Sequence, residues 1–163
     1  KNKGVDSKVI CIAGDGSIMM NLQELQTIVS ENMQIKILLI NNDGYLSIRQ
    51  TQKNYFPDNM FGAGSGDGLT LPNFEKISGA FDIKYHKLTL GNYKCLDKLS
   101  EIFNEAGPAL IEVMVDPEIG FLPKLVSRKL ADGTMISPEL SDMYPFLDEK
   151  RLNDITNDLK NGT

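Results

Sequence analysis

The 163-residue chain has few of the residue types that build metal clusters, disulfides and nucleic-acid surfaces. It contains one histidine, two cysteines and no tryptophan, and its 17 Lys and Arg residues are outnumbered by 22 Asp and Glu residues. Cys11 and Cys95 lie far apart with no metal-ligand spacing around them, which favours a reduced, cytoplasmic setting. The net charge is −5 and no basic stripe appears in the sequence, so no nucleic-acid partner is expected. No apolar run is long enough to cross a bilayer and no secretory signal pattern is present, so no membrane partner is expected.

A hydrophobic fraction of 41% is sufficient for one domain with a sizeable core. The first eight residues, KNKGVDSK, lack an initiator Met and lead at once into an apolar run. This start predicts a domain taken from a longer protein.

Short apolar runs alternate with amphipathic segments over most of the chain. Continuous runs rich in Val and Ile are typical of buried parallel strands, and apolar residues at helical spacing are typical of the helices that cover them. Strands are predicted at 9–13, 35–40, 82–90 and 109–115, and helices at 20–31, 72–79 and 93–105. The alternation predicts an α/β fold over residues 1–117, with a doubly wound, mainly parallel sheet flanked by helices.

Two stretches interrupt this alternation. Residues 41–68 are rich in glycine and polar residues, which predicts a loop-rich, mobile surface segment. Residues 118–147 contain three prolines among scattered apolar residues, which predicts an extended C-terminal arm, and Asp148 is a candidate N-cap for a last helix. We expect residues 118–163, arm and helix together, to be part of the same domain.

The loops after the first two strands contain the residues best suited to chemistry. GDGS (14–17) and NNDG (41–44) follow neighbouring strands at the carboxyl edge of the sheet, where ligands bind in this fold class. The glycines let the backbone approach a bulky anion, and the N–H groups of Gly16 and Ser17 and the Ser17 hydroxyl can donate to phosphate oxygens. Asp15 would repel that anion unless a cation lay between them. Its carboxylate, the Asn42 amide oxygen and a backbone carbonyl are the ligands that Mg²⁺ prefers.

Simpler interpretations exist for the same residues. NNDG is also a hairpin-turn signal, and the first loop alone would suit a non-catalytic, flavodoxin-like phosphate-binding module. GDGS lacks the G-x-G-x-x-G spacing of dinucleotide-binding loops. His86 and the Met19-Met20 pair are interpreted as structural or as pocket wall. Arg49 is assigned a structural or solvated role, with a substrate carboxylate as the alternative.

The pair GDG…NN resembles the signature of thiamine-diphosphate enzymes, most closely the acetolactate synthase and pyruvate decarboxylase group, over residues 8 to about 117. The resemblance implies that Asp15, Asn42 and the carbonyl of Gly44 bind Mg²⁺. It implies that Ser17 binds the diphosphate. The cofactor-binding set is then Gly14, Gly16, Ser17, Asn42, Gly44 and Tyr45.

The same resemblance implies a reaction that starts from a 2-keto acid. Pyruvate decarboxylases carry a proton-transferring Glu three residues after the loop tyrosine, whereas this chain has Ile48, an aliphatic residue as in acetolactate synthases. An apolar active-site wall disfavours protonation and leaves space for an acceptor, so a carboligase is favoured over a simple decarboxylase. Thr51 stands where acetolactate synthases often place a bulky residue, which suggests an acceptor other than a second pyruvate. The tail also resembles that of homologues in bacterial surface-sugar pathways.

The family activates its cofactor with a Glu on a separate pyrimidine-binding domain, usually from a partner subunit. No such domain fits within these residues, and this chain supplies no acid or base of its own. The resemblance therefore implies a homodimer or tetramer when intact, and an inactive chain in isolation. FAD, where used, would bind a domain outside this sequence.

Overall fold

The computed structural model describes residues 9–89, 96–129, 132–137, 139–140 and 142–161. The chain divides into two compact units, Lys1–Ile119 and Gly120–Thr163, and each is described by itself. The boundary predicted between sheet and arm lies two residues before this division. That the arm belongs to the same domain stays a prediction.

The first unit is built on a four-stranded sheet in which every described pairing is parallel. Its strands are β1 (Val9–Gly14), β2 (Ile35–Asn41), β3 (Lys84–Leu88) and β4 (Ala109–Met114), in the order β1-β2-β4-β3. The apolar runs of β2 and β4 occupy the two central positions. β1 lies at an edge, and its Val9, Ile10 and Ile12 are exposed, Ile12 to 70%. Each strand lies within two residues of its predicted bounds.

Helices cover both faces of this sheet. They are α1 (Asp15–Ile18), α2 (Glu24–Ser30), α3 (Leu46–Tyr55), α4 (Phe74–Ala80) and α5 (Leu96–Asn104). On one face, Ile37, Leu39 and Leu110 pack with Leu25 of α2 and Phe74 of α4. On the other, Ile111 and Leu88 pack with Ile102 of α5. Because successive strand residues point to opposite faces, the two central strands are buried on both surfaces, and the predicted doubly wound α/β architecture is confirmed.

The largest departure from the sequence prediction lies in residues 41–68. α3 occupies Leu46–Tyr55, where a loop was predicted, and only Leu46 of this helix is buried. The glycine-rich stretch after it is held by hydrogen bonds rather than left free: the Asp67 carboxylate accepts from the N–H groups of Ala63 and Gly64 at 2.8 and 2.7 Å. Ala63 is completely buried. The loop-only interpretation of this stretch is therefore wrong.

The predicted helices 20–31 and 93–105 are also modified. Residues 15–21 form α1 and a 3-10 turn, so the longer helix begins later, at Glu24. Residues 90–95 lie outside the described residues, and with them the start predicted at 93 for α5. Among the described residues, no helix is both long enough and apolar enough to span a bilayer.

The second unit contains little regular structure. β5 (Arg128–Lys129) and β6 (Met135–Ile136) form a short antiparallel pair, and Lys124 and Tyr144 exchange backbone hydrogen bonds of 3.0 and 2.8 Å. α6 (Glu149–Asn161) begins after Asp148, whose carboxylate accepts from the N–H of Arg151 at 2.9 Å. Asp148 is thus the N-cap that the sequence predicts.

Candidate functional site

The two polar loops meet at the carboxyl edge of β1 and β2. The strands pair in register up to Gly14 and Ile40, so Asp15 and Asn42 leave the sheet side by side. Asp15 is 1% exposed. Its Oδ2 accepts from the N–H of Gly44 at 2.8 Å, and its Oδ1 accepts from the N–H of Gly16 at 2.7 Å. The carboxylate therefore joins the two loops.

Two further polar groups meet this carboxylate, the Asn42 side-chain amide and the Gly44 carbonyl. The inward-facing atom of the Asn42 amide, placed as its oxygen, lies 3.3 Å from Asp15 Oδ1 and 2.9 Å from the Gly44 carbonyl oxygen. Both neighbours are acceptors, so the contact lacks a hydrogen, whereas a rotated amide would donate to both. Adjacent ligands of octahedral Mg²⁺ are about 2.9 Å apart, given Mg–O bonds of about 2.0–2.1 Å. Turned with its nitrogen inward, the Asn42 amide donates to both oxygens; turned with its oxygen inward, it forms with the Asp15 carboxylate and the Gly44 carbonyl a donor set that fits Mg²⁺.

The backbone of the second loop takes a conformation that needs glycine. Asp43 has φ of 63° and Gly44 has φ of 120°, both in the left-handed half of conformational space. A Cβ on Gly44 would collide with the carbonyl oxygen of Ala63 and lie 2.8 Å from Leu69 Cδ2. Tyr45 then donates its N–H to the same Ala63 oxygen at 2.8 Å. The stretch after α3 thus packs against Gly44 and binds Tyr45, which fixes the conformation of the second loop.

Gly16 makes room for an aromatic side chain of the other loop, and its predicted role in cofactor binding stays a prediction. A Cβ there would overlap the Tyr45 ring, lying 2.8 Å from Cδ1 and 2.9 Å from Cζ, so the missing side chain makes room for this aromatic ring. Its N–H is already bonded to Asp15. Donation from Gly16 to a phosphate would break that bond, so Ser17, which is exposed, is the freer donor. A Cβ on Gly14 would meet only Ser17 Oγ, at an ordinary 3.6 Å.

Ile48 lies on the outward face of α3 and is 45% exposed. It borders a cavity of about 550 Å³. The other lining residues are Ser47, Thr51, Gln52, Phe56 and Asn59. None of these side chains ionises in the ordinary pH range, so this cavity offers no acid or base to a bound molecule.

Sequence reasoning missed a buried carboxylate beneath the site. Glu112 of β4 is 5% exposed and accepts from Asn41 Nδ2 at 2.6 Å and from the Tyr85 hydroxyl. Burial and the Glu112 charge raise the pKa of Tyr85 well above its usual 10.0. The signal was present, because a Glu within the apolar run ALIEVMV must find partners when it is buried.

The described residues contain no group of three His, Cys, Asp or Glu side chains close enough to hold a metal. The converging oxygens come instead from one carboxylate, one amide and one peptide carbonyl. Such a set has a single negative charge, and it suits a cation whose remaining ligands come from phosphates and water.

Comparisons with known proteins agree with this geometry. Residues 2–113 match the family described as thiamine pyrophosphate enzyme, C-terminal TPP binding domain. The chain is 36% identical over 116 residues to the acetolactate synthase isozyme 1 large subunit of Escherichia coli strain K12, which covers 69% of this chain and 19% of that protein. It is 30% identical over 149 residues to the acetolactate synthase large subunit of Cyanidium caldarium. This match covers 91% of this chain and 23% of that protein. The chain spans about a fifth of the length of the curated relatives it matches.

Proposed function

The chain belongs to the family of C-terminal TPP binding domains of thiamine pyrophosphate enzymes, and from this premise we propose that it holds the diphosphate and Mg²⁺ of the cofactor in a 2-keto acid carboligase. The meeting of the Asp15 carboxylate, the Asn42 side-chain amide and the Gly44 carbonyl at the ends of β1 and β2 supports this proposal most directly. Family membership also makes the flavodoxin-like module and the hairpin interpretation of NNDG unnecessary.

In this proposal the two loops divide the work of binding. Asp15, Asn42 and the Gly44 carbonyl take three positions around the cation, and phosphate oxygens and water take the others. The Ser17 hydroxyl and N–H, at an exposed position, are the donors offered to the anion. Tyr45, seated on Gly16, keeps the two loops in contact. The bound cofactor supplies the carbanion chemistry that decarboxylates a 2-keto acid.

The preference for ligation over simple decarboxylation depends on Ile48. The six described residues that line the cavity beside Ile48 are not ionisable in the ordinary pH range and supply no general acid there. An apolar wall lets a second carbonyl compound compete with a proton for the reactive carbon. Both relatives described above are acetolactate synthase large subunits, which is consistent with a 2-keto acid donor. The activating Glu and the pyrimidine pocket would come from a second subunit of a dimer or tetramer.

The proposal is tested by calorimetric titration of the intact enzyme with thiamine diphosphate and Mg²⁺. We expect Asp15→Ala and Asn42→Ala each to abolish Mg²⁺-dependent cofactor binding, because each removes one of three protein ligands. Asp58→Ala, at an exposed carboxylate of the same unit, is the matched control and should bind normally. Unchanged affinity in the Asp15 variant would refute the site.

A further inference from the structure

The guanidinium of Arg49, on α3, lies among backbone carbonyls of the metal-site loop. Its Nη2 donates to the carbonyl oxygens of Asp43 at 2.7 Å and Asn42 at 3.1 Å. Its Nη1 donates to the carbonyl oxygen of Pro117, just beyond β4, at 3.1 Å. A fourth carbonyl, that of Ala63, lies 3.5 Å from Nη2. One side chain thus connects the loop after β2, the end of β4 and the stretch after α3.

The distribution of these bonds along the loop is informative. Asn42, Asp43 and Gly44 present three successive carbonyls, and Arg49 engages the first two. The third, on Gly44, lies 2.9 Å from the side-chain amide of Asn42, which in turn lies 3.3 Å from Asp15 Oδ1. Asp43 and Gly44 have positive φ values, and this backbone conformation separates the Gly44 carbonyl from the two carbonyls that Arg49 binds. Such a conformation persists only where the surrounding contacts stabilise it.

We propose that Arg49 is a positioning residue for the cation: it fixes the carbonyls of Asn42 and Asp43 so that the Gly44 carbonyl is aimed at the metal. This inference rests on the proposed function, since it requires the cation between Asp15, Asn42 and Gly44. Arg49 contacts neither metal nor cofactor in this role and acts through the loop backbone.

The same contacts argue against a substrate-binding role. Both terminal nitrogens of the guanidinium already donate to peptide oxygens, and Nε is buried without a hydrogen-bond partner among the described atoms. A substrate carboxylate would need two parallel N–H groups directed outward. Lysine is a poor replacement, because one ammonium group lacks the planar fork that spans carbonyls on separate segments.

The test measures Mn²⁺ binding to the intact enzyme by electron paramagnetic resonance, at saturating thiamine diphosphate, with Mg²⁺ and Ca²⁺ as competitors. We expect Arg49→Met to weaken Mn²⁺ binding about 10- to 100-fold, the usual effect of losing a group that orients a metal ligand. We expect Arg49→Lys to be intermediate. Mg²⁺ demands near-ideal octahedral geometry and Ca²⁺ does not, so the preference for Mg²⁺ over Ca²⁺ should fall as well.

Lys53→Met is the matched control. Lys53 is on the same helix and pairs with Glu118 at 2.9 Å, so it also ties α3 to the segment after β4, but it touches no carbonyl of the loop. It should leave Mn²⁺ affinity and metal preference unchanged. Arg49→Met and Arg49→Lys could lower the melting temperature of the metal-free protein and leave both the Mn²⁺ affinity and the preference for Mg²⁺ over Ca²⁺ unchanged. In that case Arg49 only stabilises the fold, and the inference is overturned. Should the Met variant fail to fold, the Lys variant decides by its metal preference.

Asp15→Ala separates this inference from the proposed function. Loss of Mn²⁺ binding in Asp15→Ala together with full binding in the Arg49 variants would overturn the role of Arg49 alone. Full binding in Asp15→Ala would overturn the metal site and, with it, this inference.

Discussion

Contacts with distant parts of the chain explain why particular residues occur at the site. A side chain at position 16 would collide with the Tyr45 ring, and one at position 44 would collide with the Ala63 carbonyl, so both positions require glycine. Asp15 and Asn42 were predictable from the sequence, since their residue types and strand-end positions suffice to suggest a cation. The contacts of Arg49 were not predictable, because it binds the backbone carbonyl oxygens of Asn42, Asp43 and Pro117, and residue types do not reveal backbone contacts.

Ile48 permits a prediction about the outcome of the reaction. If it borders the reacting carbon, Ile48→Glu introduces a proton donor, a role worth about 10²–10⁴-fold when well placed. We expect the product ratio of the intact enzyme to move from ligation product toward free aldehyde, with some loss of total rate because the new charge is desolvated. Ile48→Val, which barely changes shape or polarity, should keep the original ratio. Product analysis by chromatography measures both. A Glu variant that binds cofactor normally and gives the original ratio would remove the main support for a carboligase.

At the scale of elements, the local pattern of apolar residues was sufficient to predict the strands. It was insufficient to predict the structure of the segment between β2 and α4. β2 and β4 are mostly apolar runs, each with one buried charged residue, Lys36 and Glu112, and burial on both faces makes such a run recognisable in the sequence. α3 presents no continuous apolar stripe, since Leu46 is its one buried residue among those described. The turn after it is fixed by polar contacts that the sequence does not display, including bonds from the Ser65 N–H and hydroxyl to Asp43 Oδ2 at 3.1 and 2.6 Å.

Asp67 is the residue that holds this turn together. Asp67→Ala leaves the N–H groups of Ala63 and Gly64 without their carboxylate acceptor, and hydrogen bonds to a charged group contribute about 1.5–3 kcal/mol. We expect amide hydrogen exchange over residues 62–69 to accelerate by about tenfold or more, as measured by mass spectrometry. Asp58→Ala should leave exchange there unchanged. Equal exchange in the Asp67 variant and the parent would mean that packing, and not this carboxylate, fixes the turn.

At the scale of the whole molecule, ionisation links folding to pH through a cluster on β3 and α5. Burial opposes ionisation of the Glu105 carboxyl, but His86 at 3.3 Å and Lys84 at 3.4 Å outweigh it and hold its pKa below the ordinary 4.5. A carboxyl with a lowered pKa in the folded state stabilises the protein above its unfolded-state pKa. That stabilisation is lost as the pH falls through the folded-state value.

Glu105→Gln should therefore lower stability wherever the carboxyl is ionised, and this effect should disappear as the pH falls through the folded-state pKa of Glu105; the His86 pair contributes only where the imidazole is protonated. The pairs are partly exposed, so we expect a loss below about 1 kcal/mol near pH 7. Thermal unfolding from about pH 7 to about pH 3 measures the difference between parent and variant. Glu101→Gln, at an exposed position of the same helix, is the control. A difference that persists undiminished at the acid end of this range would contradict the assigned pairing.

The position of β1 at the edge of the sheet has a consequence for handling the molecule. The outer side of β1 presents a row of peptide groups with no strand beside it among the described residues, and its sequence VICIAG contains no charge, proline or bulge. Edge strands of this kind act as templates on which other chains add, and natural proteins guard them with lysine, proline or a covering segment. We expect this flank, more than any feature of the binding site, to limit the concentration at which a preparation of this chain stays monodisperse.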